Sequence, residues 1–296
     1  MMNRFLRHIA SYGLITFIVL NAIAWCSLYS LRHASFYKPQ FITHELKETQ
    51  FDYAIIGSSI GLTTLNTVLI DSITQKKGIN LSIDDTSISS NYLMLQHFFK
   101  QGKKTDVCVL AINHWDLANA APQLNDNDYR FLPFVANEYV YDYYTEMERG
   151  WFKPLTLSHY IPAIGVSYYN TEIFYPSIIA RIHPNKKNRF DAQGNYFYPE
   201  KGIVEPKEEN SVTLAWRNPF IKRIKELCDE HNTKLIVYQA PMYKTKIYNT
   251  NSEYTFINHA ASLTDSAHFY DEIHLNASGR KVASTLFANE MKGLMN

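Results

Sequence analysis

The apolar positions of this chain change period along its length, and those changes mark its elements. From Leu14 to Leu31 the sequence LITFIVLNAIAWCSLYSL carries no charge over about 18 residues, enough for a helix to cross a bilayer. Residues 32–50 are polar and mixed, the pattern of a linker. Phe51–Ile56 then predicts an apolar strand ending at Gly57, and Leu62, Leu65, Leu69 and Ile73 stand at helical spacing over 62–73. Ile79–Ile83 predicts a second strand. Ser90 to Gln101 predicts a helix with Leu93, Leu95, Phe98 and Phe99 apolar and Gly102 at its C-cap. Val107–Ile112 (VCVLAI) predicts a third strand, apolar throughout as parallel strands covered on both faces are.

Between His114 and about Glu209 the period weakens and Tyr, Phe, Trp and Pro accumulate, as in Tyr139-Val140-Tyr141-Asp142-Tyr143-Tyr144. Asp191 to Tyr196 predicts a turn leading into a short strand. Alternation then resumes. Asn218-Pro219 is an N-cap followed by proline, opening a helix with Phe220, Ile221, Ile224, Leu227 and Cys228 on one stripe. Leu235–Tyr238 predicts a fourth strand, Phe269-Tyr270 a short fifth, and Val282, Ala283, Leu286 and Phe287 mark the last helix. Strand and helix in alternation argue for a parallel α/β/α sandwich with right-handed crossovers. The expected organisation is a cytoplasmic tail and transmembrane anchor over 1–31, a linker over 32–50, and an α/β domain over 51–296 with an insertion at 114–210.

A 296-residue chain with 46% hydrophobic and 19% charged residues is of globular type. Its net charge of +1 makes no electrostatic case for nucleic acid. Three cysteines form no disulfide framework, and Cys26, Cys108 and Cys228 each read as a small buried hydrophobe. Arg4 and Arg7 precede the apolar run, Arg32 and Lys38 follow it, and no small-x-small cleavage site succeeds it. The reading is an uncleaved signal anchor through lipid at 14–31, in the cytoplasmic membrane, with everything after it on the extracytoplasmic side. The alternative is a buried helix of a soluble protein.

In parallel α/β sheets, ligands sit beyond the carboxyl ends of the strands. Ser58 and Ser59 follow the first strand, Asp85 the second, Asn113 the third, Pro241 the fourth, and Asp271 and His274 the expected fifth. Candidate chemistry therefore gathers at one edge. An imidazole takes a serine proton only when a third group orients and stabilises it. Asp271 and His274, three apart on one side of a helical turn, can bring acid and base to Ser59 together. Each residue also has a structural reading. Ser59 is a small residue in a tight strand-to-helix turn, Ser58 starts that turn, Asn113 closes a strand, and His114 and Trp115 pack at the sheet edge. Capping does not require Asp271 or His274, because Asn276 and Ser278 offer caps there. The histidines are scattered without metal-ligand spacing. The aromatic insertion suits sugar stacking, a membrane interface, or a packed cap.

Gly57-Ser58-Ser59, Ala111-Ile112-Asn113 and Asp271-Glu272-Ile273-His274 together resemble the SGNH (GDSL-like) hydrolase superfamily. The likeness is to its membrane-anchored members that serve envelope O-acylation, of the teichoic-acid D-alanylation and alginate acetylation type. The resemblance covers roughly 51–113 and 211–292. It implies Ser59 as nucleophile, His274 as base, Asp271 as orienting acid, and Asn113 with the backbone N–H groups of Ser59 and Asp85 as oxyanion donors. It further implies an O-acyl group on an envelope glycan as substrate, a multi-pass membrane O-acyltransferase as partner, and no cofactor. Two positions depart from the family pattern: Asp85 stands where glycine is usual, and so does Ala111. A carboxylate beside a developing oxyanion opposes its charge, so a non-catalytic glycan-binding or scaffold protein is the alternative. Gly57-Ser58-Ser59-Ile60-Gly61 also fits the Gly-x-Ser-x-Gly elbow of α/β-hydrolases, which names the same serine.

Overall fold

The computed structural model describes residues 2–199 and 208–294. In chain order the first elements are α1 (Met2–Arg32), α2 (Lys38–His44), β1 (Gln50–Gly57), α3 (Ser59–Thr64), α4 (Thr67–Thr74) and β2 (Gly78–Asn80). There follow α5 (Ile88–Lys100), β3 (Lys104–Ile112), α6 (His114–Ala118), α7 (Glu138–Met147), α8 (Pro154–Leu157), α9 (Pro162–Tyr168) and α10 (Tyr175–Ile182). The last are β4 (Asn210–Thr213), α11 (Phe220–Glu230), β5 (Lys234–Gln239), β6 (Thr245–Tyr248), β7 (Thr255–Asn258) and α12 (Ala277–Leu294). The chain forms two compact units, one of Met1–Leu46 with Asp128–Asn188, the other of Lys47–Asn127 with Arg189–Asn296.

The second unit is α/β. Five strands form a parallel sheet in the order β2-β1-β3-β5-β7. Alternation along each strand sends side chains to opposite faces. Tyr53, Ile55, Val107, Val109, Ile236 and Tyr238 enter one core with Ile70 of α4 and Phe287 and Met291 of α12. Cys108, on the opposite face of β3, meets Cys228 of α11, and α11 packs on α5. Full burial of an aromatic or aliphatic side chain of this kind contributes about 1.5–3 kcal/mol. The core thus holds α3, α4 and α12 against the sheet.

The first unit is helical. Its α1 is long and apolar enough to cross a membrane. The stretch expected as a linker instead holds α2, with Pro39 in its first turn and Phe41 and Ile42 buried. The expected insertion 114–210 also divides. Residues 128–188 join α1 and α2, while 114–127 and the described part of 189–210 belong to the α/β unit, and 200–207 lie outside the described residues.

Four further expectations are corrected. The helix expected over 62–73 is two helices, because Leu65 is extended and tertiary partners hold the break. The Leu65 carbonyl accepts from Asn80 Nδ2 and Arg280 Nη2, and the Asn66 N–H donates to Ser284 Oγ. Phe269-Tyr270 is no sheet strand: Phe269 makes a single antiparallel bridge with Leu275, and the fifth strand is β7. Cys26 is exposed, opening onto a groove between α1 and α10, whereas Cys108 and Cys228 are buried. The short strand expected after Tyr196 reduces to one bridge between Tyr198 and Asn276.

Candidate active site

Ser59 is the first residue of α3, directly after the turn that ends β1. That turn is tight. A Cβ added at Gly57 would lie 3.0 Å from both the Ala111 methyl and its carbonyl oxygen. One at Gly61 would meet Ser82 Oγ at 2.6 Å and the Ala111 methyl at 3.0 Å. The two glycines therefore make room for Ala111 and let β1 pass into α3 with Ser59 at the bend. Ser58 is buried and Ser59 half-buried.

The acid and base arrive from the other end of the chain. α12 packs along α4 and against α3, and Ser284 and Arg280 fasten it to the break between them. Asn276 caps α12, accepting from the Gly279 N–H at 3.0 Å, so His274 is left free of capping. Residues 271–274 form a turn rather than helix, and Asp271 itself builds it. Its Oδ1 accepts from the backbone N–H of Ile273 at 2.9 Å and of His274 at 2.8 Å. The same carboxylate accepts from the His274 ring, with Nδ1 2.8 Å from Oδ2. On the far side of the ring, Nε2 lies 2.8 Å from Ser59 Oγ. With the proton on Nδ1 toward the carboxylate, Nε2 is the acceptor for the serine hydroxyl.

Burial alone would raise the Asp271 pKa and is its largest single influence. The hydrogen bond from the His274 ring and those from the two backbone N–H groups outweigh it and hold the carboxyl below its usual range. Asp271 is thus kept ionised beside the imidazole.

Register puts Asn113 and Asp85 at the level of Ser59. Gly57 pairs with Ala111, and the Ile83 N–H donates to the Gly57 carbonyl at 3.0 Å. Ser59, Asp85 and Asn113 each stand two residues beyond that line, on adjacent backbones leaving the sheet. Neighbouring strands are about 4.8 Å apart. Asn113 is the N-cap residue of α6, and its Oδ1 is buried with no hydrogen-bond partner. Asp85 has φ +50°, the left-handed region that favours glycine and that Asp tolerates better than most residues. The Ser59 N–H lies in the first turn of α3, where the helix's own ladder leaves it unused.

Tyr198 escaped the sequence reading. Its ring stacks on Tyr270 at 4.3 Å and meets the His274 ring edge-on at 5.2 Å. Burial foremost, then Tyr196 and the carboxylates of Asp271, Asp84 and Asp85, push its hydroxyl up to about 12. Tyr198 therefore walls one side of the imidazole. No periodic signal in the aromatic segment could have singled it out. His114 and Trp115 sit in α6, and Trp115 is exposed. Among the described residues no His, Cys, Asp and Glu cluster suits a metal.

Comparison with protein-family models and with curated proteins finds no match.

Proposed function

We propose that this chain is a membrane-anchored serine acyltransferase or esterase acting on O-acyl groups of an extracytoplasmic glycan. One observation carries the reading: the Ser59–His274–Asp271 relay, with 2.8 Å on either side of the imidazole. Ser59 Oγ attacks an acyl carbonyl as its proton passes to His274 Nε2. Asp271 stabilises the imidazolium, which then protonates the leaving alcohol. A sugar hydroxyl or water, deprotonated by the same nitrogen, takes the acyl group from Ser59. The Ser59 and Asp85 N–H groups and the Asn113 amide are the oxyanion donors, a role worth about 3–4 kcal/mol per donor at such sites. Nothing in this sequence of steps calls for a metal or organic cofactor.

The same reading makes the α/β unit an SGNH-like hydrolase, on the strength of its Gly-Ser-Ser turn and Asp-x-x-His spacing. With α1 as anchor in the cytoplasmic membrane, the α/β unit faces the envelope, where a multi-pass O-acyltransferase can supply the acyl group. Asp85 favours a second reading, a non-catalytic glycan-binding or scaffold protein, because its carboxylate opposes an oxyanion.

A fluorophosphonate probe separates them. The acyltransferase reading expects the wild-type protein to label and Ser59→Ala to stay unlabelled. Resistance of folded wild-type protein, or equal labelling of Ser59→Ala, excludes it. Release of acetate from an O-acetylated polysaccharide then distinguishes hydrolysis from transfer.

A further inference from the structure

We infer that α9 and α10, with the aromatic residues before them, form a lipid-embedded collar around the outer end of α1. This rests on α1 crossing a bilayer and goes beyond it, since it adds a second set of membrane-contacting helices to the anchor.

The argument starts from length. A hydrocarbon core of about 30 Å needs about 20 helical residues. Arg7 is the last Lys, Arg, Asp or Glu before the apolar run and His8 follows it, so a span beginning at Ile9 reaches roughly Leu28. Residues 4–20 of α1 are exposed on every side. Beyond them Ala24, Ser27, Leu28 and Leu31 are buried along one stripe, while Ile23, Trp25 and Tyr29 stay exposed. α9 and α10 pack on this segment, and Asn21 Oδ1 accepts from the Ala163 N–H at the start of α9. From Ile9 to Leu20 the free-standing part spans only about 18 Å at 1.5 Å per residue. A bilayer that covers α1 must therefore also reach the helices beside it.

Those helices present the surface this demands. On α10, Tyr175, Ile178 and Ile182 are exposed at spacings of three and four, an apolar stripe open to the surroundings. Ile178 and Ile182 line an open, largely apolar groove of about 410 Å³ together with Ile23 and Cys26 of α1, with Arg181 also on its lining; it continues the exposed apolar side of the anchor. Trp151 is 95% exposed. It touches Phe152 at 5.7 Å, which in turn meets Tyr168 of α9 at 6.0 Å. Trp and Tyr prefer the headgroup level of a membrane. The charged residues between 149 and 182 are only Arg149, Lys153, Glu172 and Arg181, a low charge density for a surface facing water. Water would leave these exposed apolar side chains unpaired.

The test uses the full-length chain in phosphatidylcholine–phosphatidylglycerol vesicles, with tryptophan emission as readout. Three proteins each keep one reporter, the other tryptophans being replaced by phenylalanine: Trp25, Trp151, and an introduced Ile178→Trp. Lipid brominated in mid-chain should lower emission of the Trp25 and Ile178→Trp reporters roughly two-fold, and a headgroup nitroxide lipid should do the same for Trp151. The Trp151 protein keeps the native collar surface, which guards against a folding fault caused by Ile178→Trp. Quenching of Trp25 with neither collar reporter affected overturns the collar and leaves the anchor standing. If no reporter is quenched, the anchor fails and the collar with it.

Discussion

Two histidines of the α/β unit each hold a carboxylate at the same distance, yet only one faces a hydroxyl. His274 Nδ1 lies 2.8 Å from Asp271, and His259 Nε2 lies 2.8 Å from Glu290. His259 follows β7 directly and stands edge-on to the Tyr238 ring at 5.4 Å. Its remaining nitrogen, Nδ1, is buried with no hydrogen-bond partner, whereas the remaining nitrogen of His274 meets Ser59 Oγ. The carboxylates differ as well. Asp271 is clamped by two backbone N–H groups, while the Glu290 side chain is half exposed on α12. An imidazole–carboxylate pair is thus common structural material. A nucleophile on the free nitrogen and a fixed acid are what give one of these pairs catalytic geometry.

The largest effect should fall on the first pair alone. Ser59→Ala or His274→Ala should lower acyl transfer by about 10⁴-fold or more, whereas His259→Ala should stay within about three-fold. Steady-state rates on an acetylated ester substrate read both, and equal losses would erase the distinction drawn here. Asn113→Ala should cost about 10²–10³-fold in kcat, as removal of an oxyanion donor does. Asp85→Gly works in the other direction. It relieves a left-handed conformation and removes a negative charge beside the oxyanion, so kcat/KM should rise roughly ten-fold. An unchanged rate would mean that the carboxylate points away from the reacting carbonyl.

The smallest effect is on stability and separates the pairs by pH. Burial, the largest influence, lowers the His259 pKa against the pull of Glu290. Below the ordinary value of 6.5 the unfolded chain therefore takes its proton first, and stability falls as pH drops from there through the folded value. Asp271 acts lower on the scale. Its depressed pKa stabilises the fold above the ordinary 3.8, and that contribution is lost as pH falls through the folded value. Urea midpoints across the acid range should show His259→Gln flattening the first slope and Asp271→Asn the second.

How much of this was legible depended on how local the cause was. The apolar runs of β1, β3 and β5 are covered on both faces, so composition alone disclosed them. Thr255–Asn258 shows only four residues with one fully buried, too little signal to compete with the aromatic Phe269-Tyr270. The break at Leu65 and Asn66 was invisible because its partners, Asn80, Arg280 and Ser284, are distant in sequence. Ser59, Asp271 and His274 stood out by residue type and spacing. The expected helical turn at 271–274 was nevertheless wrong, since a carboxylate folding back on its own backbone leaves no periodic trace. Tyr198 could not be read at all, as its place beside His274 is set by packing rather than pattern.

Ser59 and His274 are 215 positions apart, and a ribosome makes the hydroxyl long before the ring that meets it. On the proposed reading, an emerging chain stays inert toward esters until its last helix has seated against α3 and α4. Serine labelling, followed against time during refolding, would double as a clock for that final docking event.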